Sequence, residues 1–271
     1  KRLVWRGIIM VDLMQKLSRQ IRPYEVTKGE TDRVYQSGLQ KLQELLEHRG
    51  NLKTFARDIR KQFDEVKVDT GRRKPKIGII GEIYVRSHPF TNNQLVVQLE
   101  KLGVETALPP LEEWVDYIDH IRKEDYRQAR DYKHLLIQRV TEFVQEYDAG
   151  KLRKEFKGAI RDFYQEAPTS EVVRCGQVYI DQSVRGESIL SMGRAVEYVE
   201  KKYNGIINVI PFGCMPGNIV DALLRKFQDD YRGVPAITLT MDGIKNPAEE
   251  MRLEAFVNQA YEHLSSITDG S

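Results

Sequence analysis

Apolar residues recur at helical spacing through the first seventy positions. Ile8, Val11, Leu13, Met14 and Leu17 mark one helix, which Arg22-Pro23-Tyr24 breaks. From Thr31, a second stripe runs through Tyr35, Leu39, Leu42, Leu45 and Leu46. A third helix, over about 52–66, is dense in charge and is expected on the surface. No catalytic pattern occurs in residues 1–74, which read as a helical cover or linker for the remainder of the chain.

The pattern changes at Lys74-Pro75. The segment KIGIIGEIYV (76–85) opens with the Ile and Gly run of a buried parallel strand. Phe90-Thr91-Asn92-Asn93 supplies helix-start chemistry. Leu95, Val96, Leu99 and Leu102 then form an apolar face that ends at Gly103. Residues 104–108 read as a second strand, stopped by Pro109-Pro110. A helical insertion follows over 111–170, its helical part reaching about 165, with a break expected at Ala149-Gly150. Such an insertion predicts a lid, a cover or a partner surface.

After a loop come a helix (187–203), the strand GIINVIP (205–211), a helix (218–227), the strand PAITLTM (235–241) and a final helix (247–263). This alternation predicts an α/β fold. Its sheet would be parallel and doubly wound, Rossmann-like or flavodoxin-like, with its two parts at 75–110 and 171–271.

In such sheets ligands bind beyond the carboxyl ends of the strands. Gly81-Glu82 and Arg86 lie at the first of those ends, Gly213-Cys214-Met215-Pro216-Gly217 at the third and Asp242-Gly243 at the fourth. Cys214 sits between a buried strand and a helix start, where a thiol is favoured as thiolate. It suits a nucleophile or a soft-metal ligand, or equally a small thiol on a tight turn. Glu82 and Arg86 suit a polar substrate or an ion pair with each other. Asn92 and Asn93 read as caps, and Asp242 as a hydrogen-bond acceptor or turn cap. Gly186-Glu187-Ser188, ahead of a helix, is a candidate for presenting backbone N–H groups to a phosphate.

No phosphate loop, dinucleotide fingerprint, zinc motif or nucleophile elbow is present. Cys175 lies away from any strand end and reads as structural. His88 alone among the histidines neighbours the cleft, so a Cys214-centred hydrolase lacks a convincing base.

Composition narrows the classes. The 42 basic and 40 acidic residues nearly cancel, so neither nucleic acid nor an anionic membrane surface is an expected partner. No apolar run approaches the roughly 18 residues of a membrane span. Two cysteines in 271 residues are no disulfide framework and fit a reducing, cytoplasmic compartment. The chain opens on Lys1 rather than Met, which is expected of a piece of a longer polypeptide.

Three segments carry a family resemblance. GEIYVRSHPFTNNQLVVQLEKLGVE, NGIINVIPFGCMPGNIVDALL and PAITLTMDGIKNPAEEMRLEAFVNQA resemble the carboxy-terminal region of 2-hydroxyacyl-CoA dehydratase activase-related proteins, also called CoA-substrate-specific enzyme activases. Trp5-Arg6-Gly7, Asp12 and Arg22-Pro23-Tyr24-Glu25 resemble the stretch that precedes it, whereas the insertion is generic. The region is similar to the iron–sulfur subunits of 2-hydroxyacyl-CoA dehydratases and benzoyl-CoA reductases, proteins of anaerobic metabolism.

The resemblance implies a redox module linked to ATP-driven electron transfer, or to reductive chemistry on CoA-thioester-like substrates. It implies Cys214 as a ligand of a four-iron four-sulfur cluster in the parent protein, with Gly81, Glu82, Arg86, Asn93, Gly213 and Gly217 lining the cleft. The partner cysteines are expected upstream of Trp5, so this chain alone is expected not to assemble the cluster. The implied partners are the rest of the parent polypeptide, including its ATPase domains, and a dehydratase or reductase. A non-catalytic α/β module is the alternative. It would dock partner domains through the insertion, with Trp114, Tyr117, Tyr126 and Tyr132 as candidate contacts.

Overall fold

The computed structural model describes residues 2–161, 165–243 and 247–269. In chain order these form α1 (Arg2–Ile21), a 3₁₀ turn (Arg22–Tyr24), α2 (Glu30–Glu47), α3 (Leu52–Asp64), β1 (Lys76–Gly81), α4 (Ile83–Ser87), α5 (Leu95–Lys101) and β2 (Glu105–Ala107). There follow α6 (Leu111–Gln128), α7 (Tyr132–Glu155), α8 (Thr169–Gly176), α9 (Glu187–Glu200), β3 (Gly205–Pro211), α10 (Met215–Asp230), β4 (Ala236–Met241) and α11 (Pro247–Asp269). Among the described residues no helix is long and apolar enough to cross a membrane.

Two compact units result. The first joins Lys1–Thr70 to Pro110–Gln165, so the opening helices and the insertion share one core. That core is built from Ile9, Leu13, Met14 and Leu17 of α1, Phe55, Ile59 and Phe63 of α3, and Ala149 and Leu152 of α7, with Phe156. Trp5 donates its indole N–H to the Gln145 carbonyl at 3.0 Å, and Arg6 meets Asp148 at 2.7 Å.

The α3 helix lies on the surface with its charges outward, and its other face, Phe55, Ala56, Ile59 and Phe63, is buried in this core. One expectation is corrected in this unit: the insertion does not break at Ala149-Gly150. The α7 helix runs through, since burial of Ala149 and Leu152 outweighs the ~1 kcal/mol propensity cost of one glycine. The break lies at Arg130, whose φ is 55°, and Asp131 then caps α7 by accepting the His134 N–H at 3.1 Å.

The second unit joins Gly71–Pro109 to Glu166–Ser271 and contains the sheet. All four strands are parallel, in the order β2-β1-β3-β4. Ile77, Ile79, Ile207, Val209 and Leu239 share one face and pack on Leu95 and Leu99 of α5 and Leu253, Phe256 and Val257 of α11. On the other face a side chain at Gly78 would overlap Tyr198 of α9, and Asn208 donates to the Gly217 carbonyl of α10 at 3.2 Å. Helices therefore cover both faces of an all-parallel α/β sheet.

The first strand ends at Gly81, and Glu82 caps a short helix, α4, directly after it. The expected loop before residue 187 holds α8, which crosses α9 so closely that a Cβ at Gly193 would overlap the Val172 carbonyl.

Candidate functional site

At β1 the strand order turns back: β2 lies on one side of it and β3, next to arrive in sequence, on the other. Gly81 ends β1 with φ of 114°, and a Cβ there would overlap the Val209 carbonyl of β3. Only glycine fits both the backbone angle and the contact. Glu82 continues the link, its N–H donating to the Val209 carbonyl at 3.0 Å, while its carboxylate caps α4 by accepting the Val85 N–H at 2.7 Å. Arg86 is buried one turn on and donates from Nη1 to the Gly81 carbonyl at 3.2 Å.

A third charged group joins these two. Glu187, the first residue of α9, accepts the Ile83 N–H at 3.4 Å. Burial, and then the Glu82 charge, raises its carboxyl above the usual range, while the Ile83 N–H and Arg86 pull it back. Glu82, Arg86 and Glu187 thus form a carboxylate–guanidinium–carboxylate group beyond the end of β1. Sequence reasoning noticed residues 186–188 only for their backbone N–H groups. The available signal was an acid in the first turn of a helix that starts at the sheet's carboxyl edge.

Cys214 occupies the end of β3. Its N–H donates to the Pro211 carbonyl at 3.2 Å, and its carbonyl accepts the Asn218 N–H at 2.9 Å. It is the N-cap of α10, in extended conformation with ψ of 111°, yet its side chain makes no capping bond. The half-buried thiol is therefore uncommitted to the helix start. Its neighbours Phe212 and Met215 are 82% and 70% exposed. Gly213 turns the loop, and Gly217 lets α10 approach β3, because a Cβ there would overlap Ile210.

The start of α9 ties the two loops together. Glu187 holds Ile83, and the next residue, Ser188, donates its hydroxyl to the Pro216 carbonyl at 3.1 Å. Gly81, Glu82, Arg86, Gly213, Cys214 and Gly217 therefore gather on the β1/β3 edge. Asn93 does not belong to that group. It lines a separate, shallow open groove with Gln98, Met241, Glu249 and Glu250, on the α5 and α11 face. The cap is Asn92, which accepts the Leu95 N–H at 3.2 Å and donates to the Val85 and Arg86 carbonyls. His88 stacks on the exposed Tyr84 ring at 4.9 Å.

The two thiols are far apart. Cys175 lies on α8, its thiol raised first by burial and then by the charge of Glu200. Glu200 ends α9 and Glu187 begins it, a separation of ~20 Å along the helix. Cys175 thus sits beside the end of α9 remote from Cys214. A four-iron cluster takes about four ligands, mostly thiolates. Among the described residues no group of three or more His, Cys, Asp and Glu could hold a metal ion. One thiol on the edge does not fit a whole cluster, and these residues can supply at most a single ligand to one.

In the first unit, the insertion's aromatics divide. Tyr117 is buried, Trp114 and Tyr126 are half-buried, and Tyr132 is exposed. The exposed apolar residues of the insertion lie mainly on α7, at Leu136, Ile137, Val140, Phe143 and Tyr147. The chain matches no model of a known protein family, no curated protein and no solved structure.

Proposed function

We propose that the chain is the cluster-facing α/β module of a protein like the 2-hydroxyacyl-CoA dehydratase activases. In this reading it is a doubly wound domain of the flavodoxin-like type, whose order 2-1-3-4 the four strands share. Its working surface is the β1/β3 edge, where Cys214 supplies one thiolate to a four-iron four-sulfur cluster. The remaining ligands come from outside these 271 residues.

The observation that carries the reading is the thiol of Cys214, placed at a helix start and committed to no capping bond. The exposed Phe212 and Met215 on either side suit a surface that another segment or domain covers. The cluster, when bound, would supply low-potential electron transfer to a CoA-thioester-like substrate. This chain's part is to present the thiolate and to shield it. Glu82, Arg86 and Glu187 set the local charge beside it, which tunes a potential. The partners in this reading are the ATPase domains of the same polypeptide and a dehydratase or reductase, in a reducing cytoplasm.

The test is iron and acid-labile sulfide on the longest native form, purified without oxygen, as wild type, Cys214→Ala and Cys175→Ala. Cluster retained in wild type and Cys175→Ala but lost in Cys214→Ala is the expected result. Unchanged cluster content in Cys214→Ala overturns the assignment.

A second reading, a non-catalytic scaffold that docks partners through the insertion, is favoured by the exposed apolar residues of α7. Absence of iron from every form, together with loss of partner binding on substitution along α7, would select it.

A further inference from the structure

We propose that α7 is a self-association helix, pairing antiparallel with α7 of a second copy of this chain. The inference is independent of the cluster reading and rests on a different unit.

The α7 helix is apolar on two opposite sides. Leu135, Ala149 and Leu152 face inward and are buried. At 100° per residue, Leu136, Val140, Phe143 and Tyr147 fall within an arc of about 60° on the opposite side. All four are more than half exposed, Phe143 at 73%. Their spacing of 4, 3 and 4 is that of a two-helix seam. A helix with one buried face has no need of a second apolar row.

The row is large. With Tyr132 and Ile137 it offers on the order of 700 Å² per copy, above the few hundred of an ordinary surface patch and close to the ~800 Å² per partner of a stable interface.

Its flanks are self-complementary. In an antiparallel pair, Leu136 meets the second copy's Tyr147 and Val140 meets its Phe143, each contact occurring twice about a twofold axis near Thr141 and Glu142. On one side of this seam Ile137 then lies beside the second copy's Val144, apolar on apolar. On the other side Arg139 lies beside its Glu146, opposite charges facing. Arg139 is exposed and makes no ion pair among the described residues. Glu146 bonds Arg153 of its own chain with its side chain still 73% exposed, so it can accept a second cation. A parallel pair would instead set Arg139 beside the second copy's Val144, leaving that charge without a partner across the seam.

The experiment is sedimentation equilibrium of the 271-residue chain over a concentration series. The forms compared are wild type, Phe143→Glu, Arg139→Glu, Glu146→Arg, and Arg139→Glu with Glu146→Arg. Circular dichroism checks that each variant is folded. Wild type should dimerise, and Phe143→Glu should be monomeric. Arg139→Glu and Glu146→Arg should each weaken the dimer about three- to tenfold, and the double exchange should recover most of that loss. A monomeric wild type overturns the proposal, even if it binds another protein through α7. So does a dimer indifferent to Phe143→Glu, which must use another surface. A dimer broken by Phe143→Glu but not rescued by the double exchange overturns the antiparallel register.

Discussion

Asp12 offers a sharp test of how the first unit is held together. It lies on α1, buried, and its two carboxylate oxygens each accept a backbone N–H at 3.1 Å, from Leu111 and Glu112 at the start of α6. Burial raises its carboxyl to about 6, with the Glu112 charge adding to the effect; the two N–H bonds and Lys16 offset only part of it. A carboxyl whose folded value exceeds its unfolded value binds its proton more tightly when folded, so it costs stability as pH rises. The shift from 3.8 to about 6 corresponds to about 3 kcal/mol, absent below about pH 3 and complete above about pH 7.

Asp12→Asn removes the titration and keeps one acceptor for the helix start. The quantity to follow is the difference in unfolding free energy between the two proteins from pH 4 to 8. Trp5 and Trp114 both lie in this unit and are the chain's two tryptophans, so fluorescence in urea reports it directly. Other carboxyls cancel in the difference. Over this range wild type should lose about 2.5 kcal/mol relative to the variant as pH rises, most steeply near pH 5. A difference that is flat with pH, or that grows in wild type's favour, refutes the reasoning.

Two further predictions follow from equally local features. Asp148→Ala should cost about 1–2 kcal/mol in the same urea assay at pH 7, since the guanidinium groups it leaves are those of the solvent-facing Arg2 and Arg6. Asp148 titrates at about 2, held down chiefly by Arg2, so its contribution should persist to about pH 4 and fade as pH drops toward 2. In the second unit, Gly81→Ala should destabilise by about 3 kcal/mol or more, through strain and overlap with the Val209 carbonyl. Gly213→Ala meets no neighbouring atom and should cost only about 1 kcal/mol. Hydrogen exchange at β1 and β3 amides separates the two, and equal protection in both variants would contradict the account of Gly81.

The sheet was legible in the sequence because its strands are short, apolar and bracketed by turn residues, β1 and β3 being buried on both faces. GIINVIP forms a strand over the residues read from it, and PAITLTM differs by one. Short helices were harder. The short helix α4, which Glu82 caps directly after Gly81, was not read, because nothing in the apolar pattern of so few residues marks a helical turn. The helix α8 was missed although Pro168-Thr169-Ser170-Glu171 is a helix-start pattern. Its reason for being is tertiary, the close crossing with α9 that Gly176 and Gly193 permit. At the site, sequence placed Glu82, Arg86 and Cys214 on the same edge but could not show Glu187 between the loops. That residue arrives from a helix about a hundred positions away from Ile83.

The opening helix α1 also explains why the insertion is no detachable lid. Trp5 bonds the Gln145 carbonyl, Arg6 bonds Asp148, and Asp12 receives the first N–H groups of α6. Three positions of α1 are therefore committed to the insertion and find their polar partners there. Removing residues 111–165 would leave Asp12 buried or newly exposed without its donors, and would strip Ala149, Leu152 and Phe156 from the core around α1 and α3. A deletion would then report unfolding of the unit rather than loss of a docking surface. Single substitutions on the outer row of α7 avoid this, since Leu136, Val140, Phe143 and Tyr147 are exposed and stand outside the unit's buried core. The two faces of one helix can thus be separated experimentally: inner-face changes act on stability, and outer-face changes act on association.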